Sequence, residues 1–297
     1  MILNISGRTD IVAFYTPWLM NRLKDGFVLV QNPFDPHQLS RISFDEVDLI
    51  VFCTKDPRPI LPYLDILKIP FVFQITLTPY HKDIEPNVSH KKDILSSIHL
   101  LKKHCILAKP ILRYDPILLN DRYTTSYHIH AFDKLCQDLE GVIDKIIISF
   151  VDIYKNVKKH QQELRLKPIQ ETDMFVLADA FSKSATQHGI CVQTCFEKVD
   201  LSPFGISQNV CLSVEEAFRF TGKIFPKWKA RPCGCVEMVD IGSYNTCSHL
   251  CKYCYANYDE QSVKSNRSRH DPKSPLLIGT LQNDQIIKDR HDHIIFK

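Results

Sequence analysis

The sequence predicts an α/β fold: a TIM-like (β/α)8 or related parallel barrel with a C-terminal cysteine-rich loop and a polar tail. Three observations predict it. Short β-branched runs alternate with segments of helical periodicity, and strands separated by helices pair in parallel because parallel neighbours need a crossover. The runs are nearly continuous in apolar residues, as in Lys145–Val151 (KIIISFV), which suits strands covered on both faces. Eight such units in about 240 residues match the size of such a barrel. An open doubly wound sheet is the alternative. Against it, the nine glycines form neither a dinucleotide fingerprint nor a P-loop.

In order, the expected strands are Ile2–Ser6, Phe27–Gln31, Asp48–Cys53, Phe71–Leu77, Pro110–Tyr114, Lys145–Val151, Ile190–Phe196 and Val236–Ile241. Helices are expected over Thr16–Lys24, Pro59–Leu67, Ser89–Lys103, Thr124–Glu140, Glu171–Gln187 and Ser213–Thr221. Ser213 and Glu216 form a capping box, and Ser89 is a simpler cap ahead of Asp93 and Ile94. The Phe34–Asp45 connection is the weakest helix of the set. Residues 1–258 read as one barrel domain and residues 259–297 as a C-terminal arm or loop, polar and basic around Lys264–His270 (KSNRSRH).

Composition bounds the function. At 44% hydrophobic and 24% charged residues, the 297-residue chain is neither disordered nor coiled coil. A net charge of +3 is too mild to imply nucleic acid by bulk electrostatics. The N-terminus lacks the pattern of a signal peptide, and no run of about 18 apolar residues would span a membrane. A cytoplasmic protein with reduced thiols is expected, without a membrane partner.

Polar residues cluster past the C-terminal strand ends, where such barrels keep their chemistry. Arg8, Thr9 and Asp10 follow the first strand, Asn32 the second, and Thr54, Lys55 and Asp56 the third. Gln74, Thr76 and Thr78 line the fourth, Arg113 and Asp115 end the fifth, Ser149 and Asp152 the sixth, and Gln193, Thr194 and Glu197 the seventh. Arg8, Lys55 and Arg113 are candidates for pairing carboxylate or phosphate groups. Asp10, Lys55, Asp115 and Asp152 are the catalytic candidates, the three aspartates for ribose contacts or proton transfer; Arg8, Thr9, Gln74, Thr76, Arg113, Ser149, Glu197 and Tyr253 are the cofactor-binding candidates. Internal salt bridges, Arg8 with Asp10 and Arg113 with Asp115, are the competing explanation.

Eleven cysteines are present. Cys53, Cys105, Cys136, Cys191, Cys195 and Cys211 are scattered among apolar residues and read as small core side chains. The other five crowd between Cys233 and Cys254. Cys247, Cys251 and Cys254, spaced C-x-x-x-C-x-x-C just after the eighth strand, can wrap one face of a [4Fe–4S] cluster and leave one iron open. Zinc is the competing metal, since Cys233, Cys235 and His249 add enough ligands for a tetrahedral site. Cys233 and Cys235 precede the last strand, which places them at the opposite rim as a thiol pair or part of an additional metal site. His249 is either a hydrogen-bond donor to the site or a solvated loop residue.

The spacing of Cys247, Cys251, Tyr253 and Cys254 resembles the signature of the radical S-adenosylmethionine superfamily, C-x-x-x-C-x-aromatic-C. The resemblance implies that the open iron chelates S-adenosylmethionine and that an electron from the cluster cleaves it, so that hydrogen is abstracted from a substrate. It also implies an electron donor such as flavodoxin or ferredoxin. Two departures stand out. The superfamily's cysteine loop ordinarily follows the first strand rather than the last, and no Gly-Gly-Glu-like segment is present. Nearly end to end, the chain also resembles a bacterial and archaeal family catalogued as domain of unknown function 1848. That resemblance rests on Ser6–Asp10 (SGRTD), Val28–Phe34 (VLVQNPF), Phe52–Pro57 (FCTKDP), Phe73–Thr78 (FQITLT), Arg113–Pro116 (RYDP), Cys233–Cys235 (CGC) and Cys247–Asn257. Two other functions compete: a zinc-bearing module that binds nucleic acid through its basic tail and stacks bases on Tyr253, Tyr255 and Tyr258, or a cluster-containing redox or sensor protein.

Overall fold

Along the chain, β1 (Ile2–Ile5) leads through α1 (Ile11–Phe14) and α2 (Thr16–Asp25) into a hairpin of β2 (Phe27–Asn32) and β3 (Asp35–Ser43). β4 (Leu49–Thr54) and β5 (Phe71–Thr76) follow, then α3 (Lys91–Leu101), β6 (Ile111–Ile117), α4 (Thr125–Leu139) and β7 (Lys145–Phe150). Three helices, α5 (Lys155–Lys159), α6 (Gln161–Leu164) and α7 (Glu171–Gln187), precede β8 (Cys191–Cys195) and β9 (Ser207–Asn209). The chain ends with α8 (Val214–Thr221), β10 (Val239–Asp240), α9 (Glu260–Arg267) and β11 (Ile286–Asp289). This computed structural model describes residues 1–229 and 233–291.

Eight of these strands form one parallel sheet in the order β10-β1-β4-β5-β6-β7-β8-β9. A mixed α/β fold built on an eight-stranded parallel sheet is therefore present. Three details differ from expectation. Phe27–Gln31 does not enter this sheet: as β2 it pairs antiparallel with β3, and β11 pairs parallel with β3. The eighth place is taken by β9, whose three polar residues carry no readable strand pattern. The expected ring is also open, for no ladder joins β9 to β10 among the described residues. Only isolated contacts cross that gap, such as the 3.1 Å bond from Val236 N–H to the Leu212 carbonyl.

Side-chain alternation splits the core. One face of each strand, with Leu3, Ile5, Ile50, Phe52, Phe73, Ile75, Leu112, Ile146 and Ile148, packs under the helices. The other face holds Ile2, Leu49, Val51 and Val72 against Leu212, Val236 and Met238. Further along that second face come Asn4, Cys53, Gln74 and Arg113, so apolar residues give way to polar ones toward the C-terminal strand ends.

Capping accounts for the helix boundaries. Thr124 accepts from Tyr127 N–H to start α4, and Ser213 and Glu216 form both arms of the expected capping box of α8. α7 also spans its expected range, whereas other assignments need correcting. Arg58–Ile66 is a 3-10 rather than an α-helix, because Pro59 and Pro62 supply no N–H to an α ladder. Ser89 does not cap α3; its hydroxyl donates to Asp56 and His90 takes the cap position. Asp35–Ser43 is a strand, not a helix. The tail is no free arm, since α9 packs beside the cysteine loop and β11 extends the small sheet; its last six residues lie outside the described residues. Among the described residues, no helix is long and apolar enough to cross a membrane.

Candidate metal centre

β10 places the cysteine loop. It pairs in parallel with β1, Asn4 opposite Asp240, so the segments leaving the two strands emerge side by side. The Asp240 carboxylate ties them together, accepting from Ser6 Oγ (2.7 Å), Gly7 N–H (2.6 Å), Arg8 Nε (3.2 Å) and Gly242 N–H (2.7 Å). Gly242 is required by proximity: a Cβ there would stand 2.0 Å from Ser6 Oγ. The loop is pinched at its base by the 2.9 Å bond from Asn245 N–H to the Ala256 carbonyl and the 2.7 Å bond from Asn257 Nδ2 to the Cys247 carbonyl. Its far side is held by Lys252 N–H on the Ile84 carbonyl and Asn87 Nδ2 on the Ser248 carbonyl.

Cys247 and Cys251 are buried and Cys254 is nearly so. Burial pushes all three thiols up, Cys251 to about 12 despite the opposing charge of Lys55. The three are close enough that Cys251 and Cys254 each raise Cys247 electrostatically. Cys254 Sγ accepts the backbone N–H of Ala256 at 3.3 Å. Among the described residues, no three His, Cys, Asp or Glu side chains converge tightly enough to hold a single ion. Tetrahedral zinc, about 2.3 Å from each sulfur, requires sulfurs roughly 3.8 Å apart. A cubane spreads its thiolates over separate irons.

Two buried carboxylates support the loop. Asp10 caps α1 by accepting from Ala13 N–H, and it also accepts from Thr54 Oγ1 (2.7 Å), Lys55 N–H (2.8 Å) and His249 Nε2 (2.9 Å). His249 is thus buried inside the site, not solvated, and its Nδ1 has no partner among the described residues. Buried Thr9 Oγ1 and Asn257 Oδ1 likewise lack one. Glu85 is 1% exposed. It accepts from Lys55 Nζ (2.7 Å), Thr78 Oγ1 (2.6 Å), Lys91 Nζ and the Tyr253 hydroxyl. Burial alone would raise this carboxyl, yet Lys55 and Lys91 outweigh it and hold Glu85 at about 2. With its hydroxyl on Glu85, Tyr253 is not free to stack on a base.

A second polar group lies toward β6. Arg113 contacts Asp115 through Nε (3.0 Å) and Nη2 (2.5 Å), while Nη1 donates to Gln74 Oε1 and to Cys211 Sγ, both at 3.1 Å. Thr76 lies opposite Arg113 in register. Glu197 accepts from Phe150 N–H at 2.8 Å. Burial, reinforced by Asp152 and Asp115, pushes its carboxyl up to about 7, where a carboxylic acid can exchange protons near neutrality. Lys55 feels both Cys251 and Asp115, so it stands between this group and the loop.

The expected rim residues therefore separate. Asp10 and Lys55 brace the loop, and Arg113, Asp115, Gln74 and Glu197 form the neighbouring group. Asp152 is exposed, with its carboxylate accepting from the Tyr154 hydroxyl, and Ser149 is half-buried on β7. Asn32 leaves the rim with the hairpin, and Arg8 pairs with Asp240 rather than Asp10. Cys235 does not lie at the opposite rim: it is buried, and its sulfur accepts from Cys211 N–H at 3.3 Å, beside the Cys211 sulfur that Arg113 contacts. Glu85, Lys91 and Asp240 were invisible to strand-end logic: Glu85 lies in a long loop, and Asp240 sits inside an expected strand. No curated protein matches the chain. Residues 2–256 match the family described as Domain of unknown function (DUF1848), and the chain belongs to that family.

Proposed function

We propose that Cys247, Cys251 and Cys254 hold a [4Fe–4S] cluster and that the protein is an enzyme of the radical S-adenosylmethionine type. One observation carries this reading: the C-x-x-x-C-x-Tyr-C loop follows β10, the last strand of the main sheet, yet β10 pairs with β1 and sets the loop beside the segment that leaves the first strand. That answers the departure in chain order. We read the open sheet as a barrel whose seam is spanned by Leu212 and Val236 instead of a ladder. When bound, the cluster supplies the electron for reductive cleavage of S-adenosylmethionine, by which such enzymes abstract hydrogen.

This chain's own residues do the rest. Three neutral buried thiols release their protons on ligation, and the Ala256 N–H and the nearby Lys55 cation offset the charge that gathers on the sulfurs. Asp10 orients His249, and Thr9 and His249 keep buried polar atoms available to the site. Arg113 and Lys55 are the cations suited to an anionic ligand, each now neutralised by a carboxylate that such a ligand would displace. Glu197 is suited to carry a proton. A reducing cytoplasm and an electron donor such as flavodoxin or ferredoxin complete the proposal.

The test is anaerobic reconstitution with iron and sulfide, followed by EPR with and without S-adenosylmethionine. The expected result is a reduced-cluster signal that shifts on addition, with release of 5′-deoxyadenosine. Stoichiometric zinc without iron-dependent absorption would overturn the reading in favour of a zinc module. A cluster indifferent to S-adenosylmethionine would leave a redox or sensor protein. Cys251→Ala should abolish assembly of the cluster, and a full cubane in that variant would refute the ligand assignment.

A further inference from the structure

Cys195 and Cys211 lie apart from the Cys247–Cys254 loop, and their neighbours are not those of packing thiols. Cys195 ends β8, and Cys211 lies two residues beyond Asn209, its register partner on β9. The two sulfurs stand 3.6 Å apart. Arg113 Nη1 donates to Cys211 Sγ at 3.1 Å, and this guanidinium is itself fixed by Asp115 and Gln74. A cation aimed at one sulfur of a touching pair favours a thiolate there and leaves the other as thiol, which is the division of labour in a dithiol that forms a disulfide.

We propose that Cys211 is a peroxide-reactive nucleophile and Cys195 its resolving partner, the two forming a reversible disulfide beside Arg113. The Cys211 thiolate attacks one oxygen of hydrogen peroxide; an S–O bond forms, the O–O bond breaks and hydroxide leaves. The Cys195 sulfur then attacks the sulfenic sulfur, the S–S bond forms, and the departing hydroxyl takes the Cys195 proton as water. Two cysteines lose two electrons and one peroxide is reduced, giving water and hydroxide. A thiol reductant reverses the bond. Oxidation removes the anionic sulfur from Arg113 and leaves that guanidinium to Asp115 and Gln74. None of this depends on a cluster at the Cys247 loop.

The full chain, treated anaerobically with one equivalent of hydrogen peroxide, alkylated and digested without reductant, tests the proposal by peptide mass mapping. The expected product joins the tryptic peptide Ser184–Lys198 to the one containing Cys211, with fragmentation placing the bond on Cys195 rather than Cys191, and dithiothreitol dissolves the link. Cys195→Ser should leave Cys211 as a sulfenic acid that dimedone traps. Arg113→Gln should slow the reaction about tenfold or more. A link from Cys211 to Cys235 or Cys233 would overturn the assignment. So would peroxide reactivity at Cys211 no greater than at buried Cys136, or stoichiometric zinc that Cys195→Ser releases. The mapping needs only the wild-type chain, so a variant that fails to fold leaves the proposal testable.

Discussion

The residue that most constrains the site is one that no strand-end pattern marks. Glu85 neutralises Lys55 and Lys91 in a place nearly closed to water. Removing one member of a buried ion pair strands the others, at about 3–5 kcal/mol. Glu85→Gln should therefore lower the unfolding free energy, read by urea titration, by an amount in that range; a loss below about 1 kcal/mol would mean that Lys55 and Lys91 find other partners. A second buried group sets the acid limit. His128 Nε2 donates to the Leu118 carbonyl and Nδ1 accepts from the Tyr114 hydroxyl, so the ring is neutral. Burial pushes it down to about 4 from its ordinary 6.5. Between those values the unfolded chain binds a proton that the folded chain refuses. Stability conferred by the neutral ring is thus intact above about pH 6.5 and falls as pH drops toward 4, by about 3 kcal/mol in full. Urea titrations across that window should show the decline in wild type and a flatter one in His128→Asn; parallel slopes would contradict it.

At the scale of elements, legibility followed local chemistry. The helices with clear caps, α4 and α8, lie where the sequence places them, and α7 spans the expected Glu171–Gln187. The parallel strands with continuous apolar runs were equally readable. What escaped was decided by distant partners. β2 has a strand's composition, but only its pairing with β3 and the cover from Leu276 take it out of the main sheet. β9 is a strand only because β8 offers it an edge. The cysteine loop was legible as a motif, whereas its neighbours Glu85 and Asp240 were not. Gly242 belongs to this second class. A Cβ there would stand 2.0 Å from Ser6 Oγ and 2.9 Å from Ser6 Cβ, so β10 must move away from β1 to admit it. Gly242→Ala should cost about 1–3 kcal/mol and lower the iron bound after reconstitution, because the loop rides on that pairing. Ser6→Gly in the same chain should recover part of both; no recovery would show that the loss arises elsewhere.

For the whole molecule, the question is whether residues after Tyr258 are an appendage or part of the fold. The contacts argue for the second. Trp18 Nε1 donates to the carbonyls of Ser274 (2.9 Å) and Leu276 (3.1 Å), and Leu29 N–H donates to the Pro275 carbonyl (3.0 Å). Leu276 joins Leu29 and Leu39 in a small apolar cluster, while β11 pairs with β3. The same segment touches the cysteine loop, for Asn266 Nδ2 donates to the Asn245 carbonyl at 3.0 Å, and Tyr15, packed on His270, donates to the Thr246 carbonyl. Burial of Leu276 and Leu277 alone stabilises the fold by about 3–6 kcal/mol. A chain ending at Tyr258 should consequently unfold at lower urea and bind less iron on reconstitution. Its tryptophan emission should shift to longer wavelength, and with only Trp18 and Trp228 in the sequence the change reports mainly on Trp18. Unchanged emission and an unchanged midpoint would make the tail an appendage after all. A lowered midpoint with full iron loading would separate its support of the hairpin from its support of the loop.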